Sequence, residues 1–307
     1  SARVPGMTEP LWKPTPEEIE STEMTRYMRS LDGKFDDYAS MWAWSVTERA
    51  DFWESIWEFG EVRSSKAYES VVENPGKMPG VKWFPGARLN FAENLLRFRD
   101  DHPAILFQGE GQARRSLSYA GLYDQVSRLA KAMRAHGIKV GDRVAGFLPN
   151  MPEAIVAMLA ATSIGAIWSS CSPDFGINGV VDRFGQIGPK VLFTADGYWY
   201  NGKQHDSLTP VRGVLEQIDS IETTVIVPFL GKAVDSGELQ GGMLWEDLVV
   251  PGAQPLYRAT AFNHPLYIMY SSGTTGVPKC IVHGAGSSLI QHLKEHMLHC
   301  DIGPDDR

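Results

Sequence analysis

The chain has 307 residues, 43% of them hydrophobic and 21% charged, with a formal net charge of -8. That length allows about two domains and a sizeable core, and the acidic balance excludes a general nucleic-acid or membrane-surface binder, which needs a basic face. Three cysteines, Cys171, Cys280 and Cys300, are too few and too irregularly spaced for a disulfide or zinc framework, and an odd number of thiols fits a reducing cytoplasm.

Residues 1–9 lack the basic start and apolar run of a signal peptide. Thr15-Pro16-Glu17-Glu18 predicts a helix start, with Thr15 as N-cap, Pro16 at the first helical position and Glu18 closing a capping box. Residues 1–99 read as helical and tryptophan-rich. Trp42, Trp44, Phe52, Trp53, Ile56, Trp57 and Phe59 are expected to pack into a core, as aromatics at helical spacing usually do. Residues 78–90, rich in Pro and Gly, read as an ordered loop.

From about Asp101 short strands and helices alternate. Residues 104–108 read as a strand, and Ser118 caps a helix with Leu122, Val126, Leu129 and Met133 on one face, ended by Gly137. A strand over 143–148 and a helix over 152–164 follow. The apolar stretch 154–168 is too short to span a bilayer and is interrupted by Thr162, Ser163 and Gly165, so a buried helix explains it. Further short apolar runs at 191–194, 224–228 and 266–270 complete an alternation that predicts a largely parallel sheet covered by helices. Residues 231–242, with four glycines, read as a surface connection.

The most informative stretch is Tyr270-Ser271-Ser272-Gly273-Thr274-Thr275-Gly276-Val277-Pro278-Lys279. It leaves the end of a predicted strand, where ligands bind in open α/β sheets. Gly273 and Gly276 permit positive φ and close backbone approach, so that N–H groups face an anion. Ser271, Ser272, Thr274 and Thr275 add hydroxyls for phosphate oxygens and an oxygen ligand for Mg²⁺, and Lys279 adds a compact positive charge. A plain polar turn uses similar residues, but not this ordered sequence of strand, hydroxyls, two glycines, proline and lysine. No Gly-Lys-Ser/Thr closes the loop, so it is not a Walker A loop.

This loop resembles the phosphate loop of the adenylate-forming superfamily, which joins acyl-CoA synthetases, nonribosomal-peptide adenylation domains and luciferases. Cys280 stands where glycine is common after the lysine, and it reads as a small packing residue rather than a nucleophile. The resemblance extends over nearly the whole chain. Phe35-Asp36-Asp37-Tyr38 through Phe52-Trp53, Trp83-Phe84-Pro85-Gly86-Ala87-Arg88-Leu89-Asn90 and Ala92-Glu93-Asn94-Leu95-Leu96 are similar to the N-terminal cap of acetyl-CoA-type synthetases. Ile167-Trp168-Ser169-Ser170-Cys171-Ser172-Pro173-Asp174-Phe175-Gly176 and Asp182-Arg183-Phe184-Gly185-Gln186-Ile187 resemble the acetoacetate-activating branch instead. The aromatic-Gly-Gly stretch of the acetyl branch is replaced here by 172–174, and its Arg-x-x-Arg pair by Tyr200-Asn201-Gly202-Lys203.

What the resemblance implies is an α/β fold, the N-terminal large domain of the adenylate-forming fold. It would comprise two α/β subdomains with a helical N-terminal cap, incomplete at its C-terminus: 1–99 as cap and lead-in, 100–307 as a truncated nucleotide-binding region, and the C-terminal lid domain absent. The implied reaction joins acetoacetate to CoA with ATP through an acyl-adenylate, with ATP, Mg²⁺ and CoA as cosubstrates, and with small molecules rather than nucleic acid or membrane as partners; the oligomeric state stays open. Thr274, Thr275 and Lys279 are the expected catalytic residues, holding phosphates together with Ser271, Ser272, Gly273 and Gly276. Tyr200 and Lys203 are candidates for the CoA adenine and a CoA phosphate, against the alternative of a purely structural turn. On this reading 307 residues alone have little or no synthetase activity. Other short-chain acids and a non-catalytic nucleotide-binding module remain alternatives. His292, His296 and His299 share a helical face and could hold a metal, although exposed histidines on amphipathic helices are the commoner explanation.

Overall fold

The computed structural model describes residues 10–111, 114–231, 233–249, 252, 256–272 and 276–306. These divide into two compact units, one formed by 1–62 with 290–307 and the other by 63–289. The division falls at Val62/Arg63 and brings the last residues back to the N-terminal helices, whereas the sequence places a boundary at 99/100.

The first unit begins with four helices, α1 (Pro16–Ser21), α2 (Glu23–Ser30), α3 (Tyr38–Thr47) and α4 (Arg49–Phe59). Their starts follow from local chemistry. Thr15 Oγ1 accepts from the Glu18 amide at 3.2 Å while the Glu18 carboxylate accepts from the Thr15 amide at 2.6 Å, satisfying two orphan donors of α1. Asp37 caps α3 by accepting from Ser40, a hydrogen bond that holds its carboxyl below the usual range. Trp44 packs against Phe35 and edge-on to Phe52, with the Lys34 ammonium 4.2 Å from its ring centroid. Trp57 and Ile56 are buried, but Trp42 is 56% exposed, so the expected aromatic core loses that member. On a ten-residue helix carrying Met41 and Trp44 inward, position 42 points away.

The second unit opens with β1 (Ser64–Lys66), β2 (Val72–Glu73), β3 (Lys82–Trp83), β4 (Arg88–Leu89) and α5 (Phe91–Leu95), then β5 (Pro103–Phe107) and β6 (Arg115–Ser118). Buried Asn90 and Asn94 tie this lead-in together. Asn90 caps α5, and its amide donates to the carbonyls of Thr162, Ser163 and Arg258 at 2.9–3.1 Å. Asn94 brackets Arg63, accepting from its amide and donating to its carbonyl. The motif around these residues is therefore structural.

The α/β region then runs α6 (Tyr119–Ala135), β7 (Arg143–Phe147), α7 (Pro152–Ser163), β8 (Ile167–Cys171), α8 (Ile177–Ile187), β9 (Val191–Ala195), β10 (Gly197–Tyr200), β11 (Lys203–Asp206), α9 (Leu208–Leu215), β12 (Thr223–Val227), β13 (Gly242–Leu244), α10 (Trp245–Leu248), β14 (Thr260–Ala261), β15 (Pro265–Ser271), β16 (Lys279–Gly284) and α11 (Ala285–Lys294). The last helix starts in the second unit, and from Ile290 its residues belong to the first. Seven strands form one sheet in the order β13-β12-β9-β7-β8-β15-β16, with every pair parallel except β15–β16. This is the covered parallel sheet that the alternation implies, with an antiparallel edge.

Alternate strand residues feed two cores. Val144, Trp168, Phe193 and Val225 pack with α6 and α7 on one face. Ala145, Phe147, Leu192 and Ile226 pack with α8 and α9 on the other. Ser118 caps α6 as expected, and Leu122, Val126, Leu129 and Met133 are buried together. The elements not anticipated include β6, β8, α8, α9, β13 and β16.

Candidate functional site at the carboxyl edge of the sheet

The chain leaves β7 toward α7 on one face and leaves β8 toward α8 on the opposite face. Neighbouring parallel strands whose connections diverge in this way open a crevice beyond their carboxyl ends. A cavity of about 660 Å³ lies there, lined by residues following β7 (Leu148, Asn150), residues ending β8 (Cys171, Ser172) and residues of β15 (Tyr267, Tyr270). Its size and largely apolar lining suit a small molecule or the arm of a larger one.

Local packing shapes this crevice. A Cβ on Gly146 would stand 2.7 Å from the Trp168 ring, so only glycine lets the indole lie across β7. Ser169 donates to the Ile268 carbonyl at 2.8 Å and lies 3.0 Å from the Tyr270 hydroxyl, linking β8 to β15 beneath the cavity. Burial raises the Tyr270 phenol well above its ordinary value, with the Ser169 contact opposing. Burial likewise pushes the Cys171 thiol up to about 12, against the charge of Arg183, so this cysteine is neutral and unsuited to nucleophilic attack. The Arg183 guanidinium lies 4.1 Å from the Phe175 ring centroid and 5.8 Å from that of Tyr270.

The residues expected from the sequence to bind phosphate follow β15 beside this cavity. Ser271 ends β15 and pairs across the ladder with Lys279, the first residue of β16. The loop is thus the connection of a β-hairpin at the carboxyl edge, and its two ends are held in register. Ser272, Gly276 and Lys279 are exposed, and Gly276 adopts φ +98 with nothing within 4 Å of where a Cβ would stand. Gly273, Thr274 and Thr275 lie outside the described residues.

Tyr200 and Lys203 sit elsewhere on the same edge. They face each other across the two-residue connection of the β10–β11 hairpin, which follows β9. Asn201 and Gly202 both have positive φ, 49 and 73, as an Asn-Gly hairpin turn requires. The Gly202 amide donates to Glu110, and Tyr200 is 69% exposed. Three strand spacings separate β9 from β15, about 14 Å, so this hairpin and the phosphate loop belong to different parts of the edge. The stretch 172–174 lies between them. Burial raises Tyr198 and the charge of Asp174 adds to that shift, so the segment after β8 and the β10–β11 hairpin share one electrostatic neighbourhood. His205 stacks on Tyr198 with ring centroids 5.0 Å apart, making the hairpin face aromatic.

Among the described residues no group of three or more His, Cys, Asp or Glu side chains could hold a metal. His292 and His296 have ring centroids 5.9 Å apart, but the helix becomes a π turn at Glu295–His299, which breaks the regular face that would align the third histidine. Among the described residues no helix is long and apolar enough to cross a membrane.

Comparison with known proteins agrees with this geometry. A family model described as AMP-binding enzyme matches residues 91–307, and another, acetyl-coenzyme A synthetase N-terminus, matches residues 38–95. The acetoacetyl-coenzyme A synthetase of Rhizobium meliloti (strain 1021) is 47% identical over 305 residues, covering 97% of this chain and 46% of its own. Malonamoyl-CoA synthetase vrtB of Penicillium aethiopicum is 38% identical over 337 residues, covering 100% of this chain and 45% of its own. The solved structure of acetoacetyl-CoA synthetase from Streptomyces lividans superposes with a TM-score of 0.92 at 42% identity, over 98% of this chain and 47% of that one. The chain spans about half the length of the curated relatives it matches. The family match from Phe91 to the final residue, more than half of the chain, shows that the chain belongs to the AMP-binding enzyme family.

Proposed function

We propose that this chain supplies the phosphate-binding and thiol-binding half of an ATP-dependent acid–thiol ligase. The full-length enzyme joins acetoacetate to CoA through an acyl-adenylate, releasing pyrophosphate and AMP. The observation that carries this reading is the Ser271–Lys279 pairing, which fixes a hydroxyl- and glycine-rich loop beside the crevice at the carboxyl edge. Its reactants are small molecules: ATP with its Mg²⁺, acetoacetate and CoA. A net charge of -8 argues against nucleic acid as a partner, and the three free cysteines fit a cytoplasmic enzyme.

In the first half-reaction a carboxylate attacks the α-phosphorus and negative charge moves onto the departing pyrophosphate. Groups fixed before the reaction stabilise that charge without reorganising. Lys279 places a cation at the hairpin neck, and Ser271, Ser272, Thr274 and Thr275 offer hydroxyl oxygens with the backbone of Gly273 and Gly276. These hard oxygen donors suit magnesium-bound phosphates. The magnesium supplies further charge neutralisation on the nucleotide. None of these residues acts as a nucleophile.

In the second half-reaction the CoA thiol displaces AMP. Tyr200 offers an exposed ring for the CoA adenine and Lys203 a cation for a CoA phosphate, with 172–174 lying on the way to the crevice. The choice of acetoacetate follows the acetoacetyl-CoA synthetases at 40–47% identity, while the malonamoyl relative at 38% marks a competing chemistry. Pyrophosphate release by the full-length enzyme with acetoacetate, acetate, malonamate and butyrate tests it. Acetoacetate is expected to give the highest kcat/KM, and a preference for any other acid in the panel refutes the assignment.

A further inference from the structure

Helix α8 carries a side chain that grips the outgoing leg of the phosphate loop. The Gln186 amide donates to the Pro278 carbonyl at 2.9 Å and to the Asp182 carbonyl one turn back in its own helix, while its oxygen lies 3.6 Å from the Cys280 sulfur as acceptor. Both amide protons and the carbonyl are therefore used, and the bond to Asp182 fixes the rotamer that reaches Pro278. The helix beneath is itself anchored, with Val180 and Phe184 buried and Gly188 closing it in the left-handed conformation. Three residues earlier, Arg183 lies against Phe175 and near Tyr270, on the incoming strand. One helix thus touches both legs of the hairpin, Tyr270 before the loop and Pro278 after it.

We infer that Gln186 is a positioning residue for the phosphate loop's outgoing leg, holding Pro278 so that Lys279 is presented in a fixed place. This deepens the proposed function and rests on it. Pro278 lies just before β16 and has no N–H of its own, so the exit of the loop carries one hydrogen-bonding group fewer. Gln186 supplies a partner for the carbonyl instead. Fixing Pro278 before a ligand arrives lowers the ordering cost of binding at the adjacent Lys279. Gln186 is solvent-exposed, so its role can be separated from folding.

Cys280 provides the readout, because Cys171 is buried and a Cys300→Ser background leaves it as the reactive thiol. Alkylation of Cys280 is followed in the 307-residue chain with and without MgATP, which should slow the reaction. Gln186→Met keeps the length and removes both donors, and Gln186→Arg restores a donor toward Pro278. Gln186→Met is expected to speed alkylation of the free chain and to raise the half-protecting MgATP concentration, each about 3- to 10-fold, the effect of one lost hydrogen bond. Gln186→Arg should return both toward the parent value, with an unchanged thermal midpoint throughout. If Lys279→Ala abolishes protection while Gln186→Met changes nothing, the positioning role is wrong and the phosphate reading stands. An effect of Gln186→Met that Gln186→Arg fails to reverse also overturns it. If MgATP protects no variant, the parent included, the phosphate reading fails and takes this inference with it.

Discussion

Tyr200 and Lys203 are brought opposite each other by an Asn-Gly turn, so both the structural and the ligand-binding readings of that tetrapeptide predict the same hairpin. Charge separates them. A turn tolerates Lys203→Glu, whereas a phosphate does not. In the full-length enzyme this substitution is expected to raise the KM for CoA about 10-fold or more, with the KM for ATP unchanged, since a favourable charge contact becomes a repulsive one. Steady-state kinetics with each cosubstrate varied checks it, and an unchanged CoA response assigns the hairpin to structure alone.

Cys171 gives a second outcome at this scale. Its folded value of about 12 exceeds that of an ordinary thiol, about 8.5, so at pH 9 the native thiol stays protonated. Mass spectrometry after iodoacetamide at pH 9 is expected to show Cys300 modified and Cys171 intact until denaturant is added. The linkage has a definite sign. A raised value means that the stabilising contribution is complete below the unfolded thiol's value and declines as pH rises from there toward about 12.

At the scale of elements, α6 shows how far apolar spacing reaches. Leu122, Val126, Leu129 and Met133 recur every three or four residues after a serine cap, and all four are buried where expected. Leu129→Ala is expected to lower unfolding stability by about 2–5 kcal/mol, because a closely packed core cannot collapse fully around the void. Equilibrium denaturation measures it. The strands at 191–195 and 223–227 were legible for a related reason, being short apolar runs bounded by turn residues. Other elements were hidden by tertiary context. Segment 279–284 exposes Ile281 and Val282 and becomes a strand only because β15 offers it a ladder. Strand β8 carries two serines, and the second core needs one of its polar residues, Ser169, for the link to Tyr270. The Gln186 tie to Pro278 joins residues 92 positions apart and has no signature in local spacing.

Across the whole molecule, the loop sequence, its strand-end location and a cleft beside it were readable, while the residues that line the crevice were not. The crevice depends on α7 and α8 covering opposite faces, which is a property of chain direction rather than of any motif. We propose as the central claim that residues 271–279 neutralise the departing pyrophosphate. The most direct test separates the two half-reactions in the full-length enzyme carrying Lys279→Ala. Adenylation, followed as pyrophosphate release in single turnover, is expected to slow about 100-fold, the usual effect of removing one preorganised charge-stabilising group. Thioester formation from preformed acetoacetyl-adenylate and CoA should change less than about 3-fold, because no pyrophosphate departs in that step. Equal slowing of both half-reactions would contradict the account.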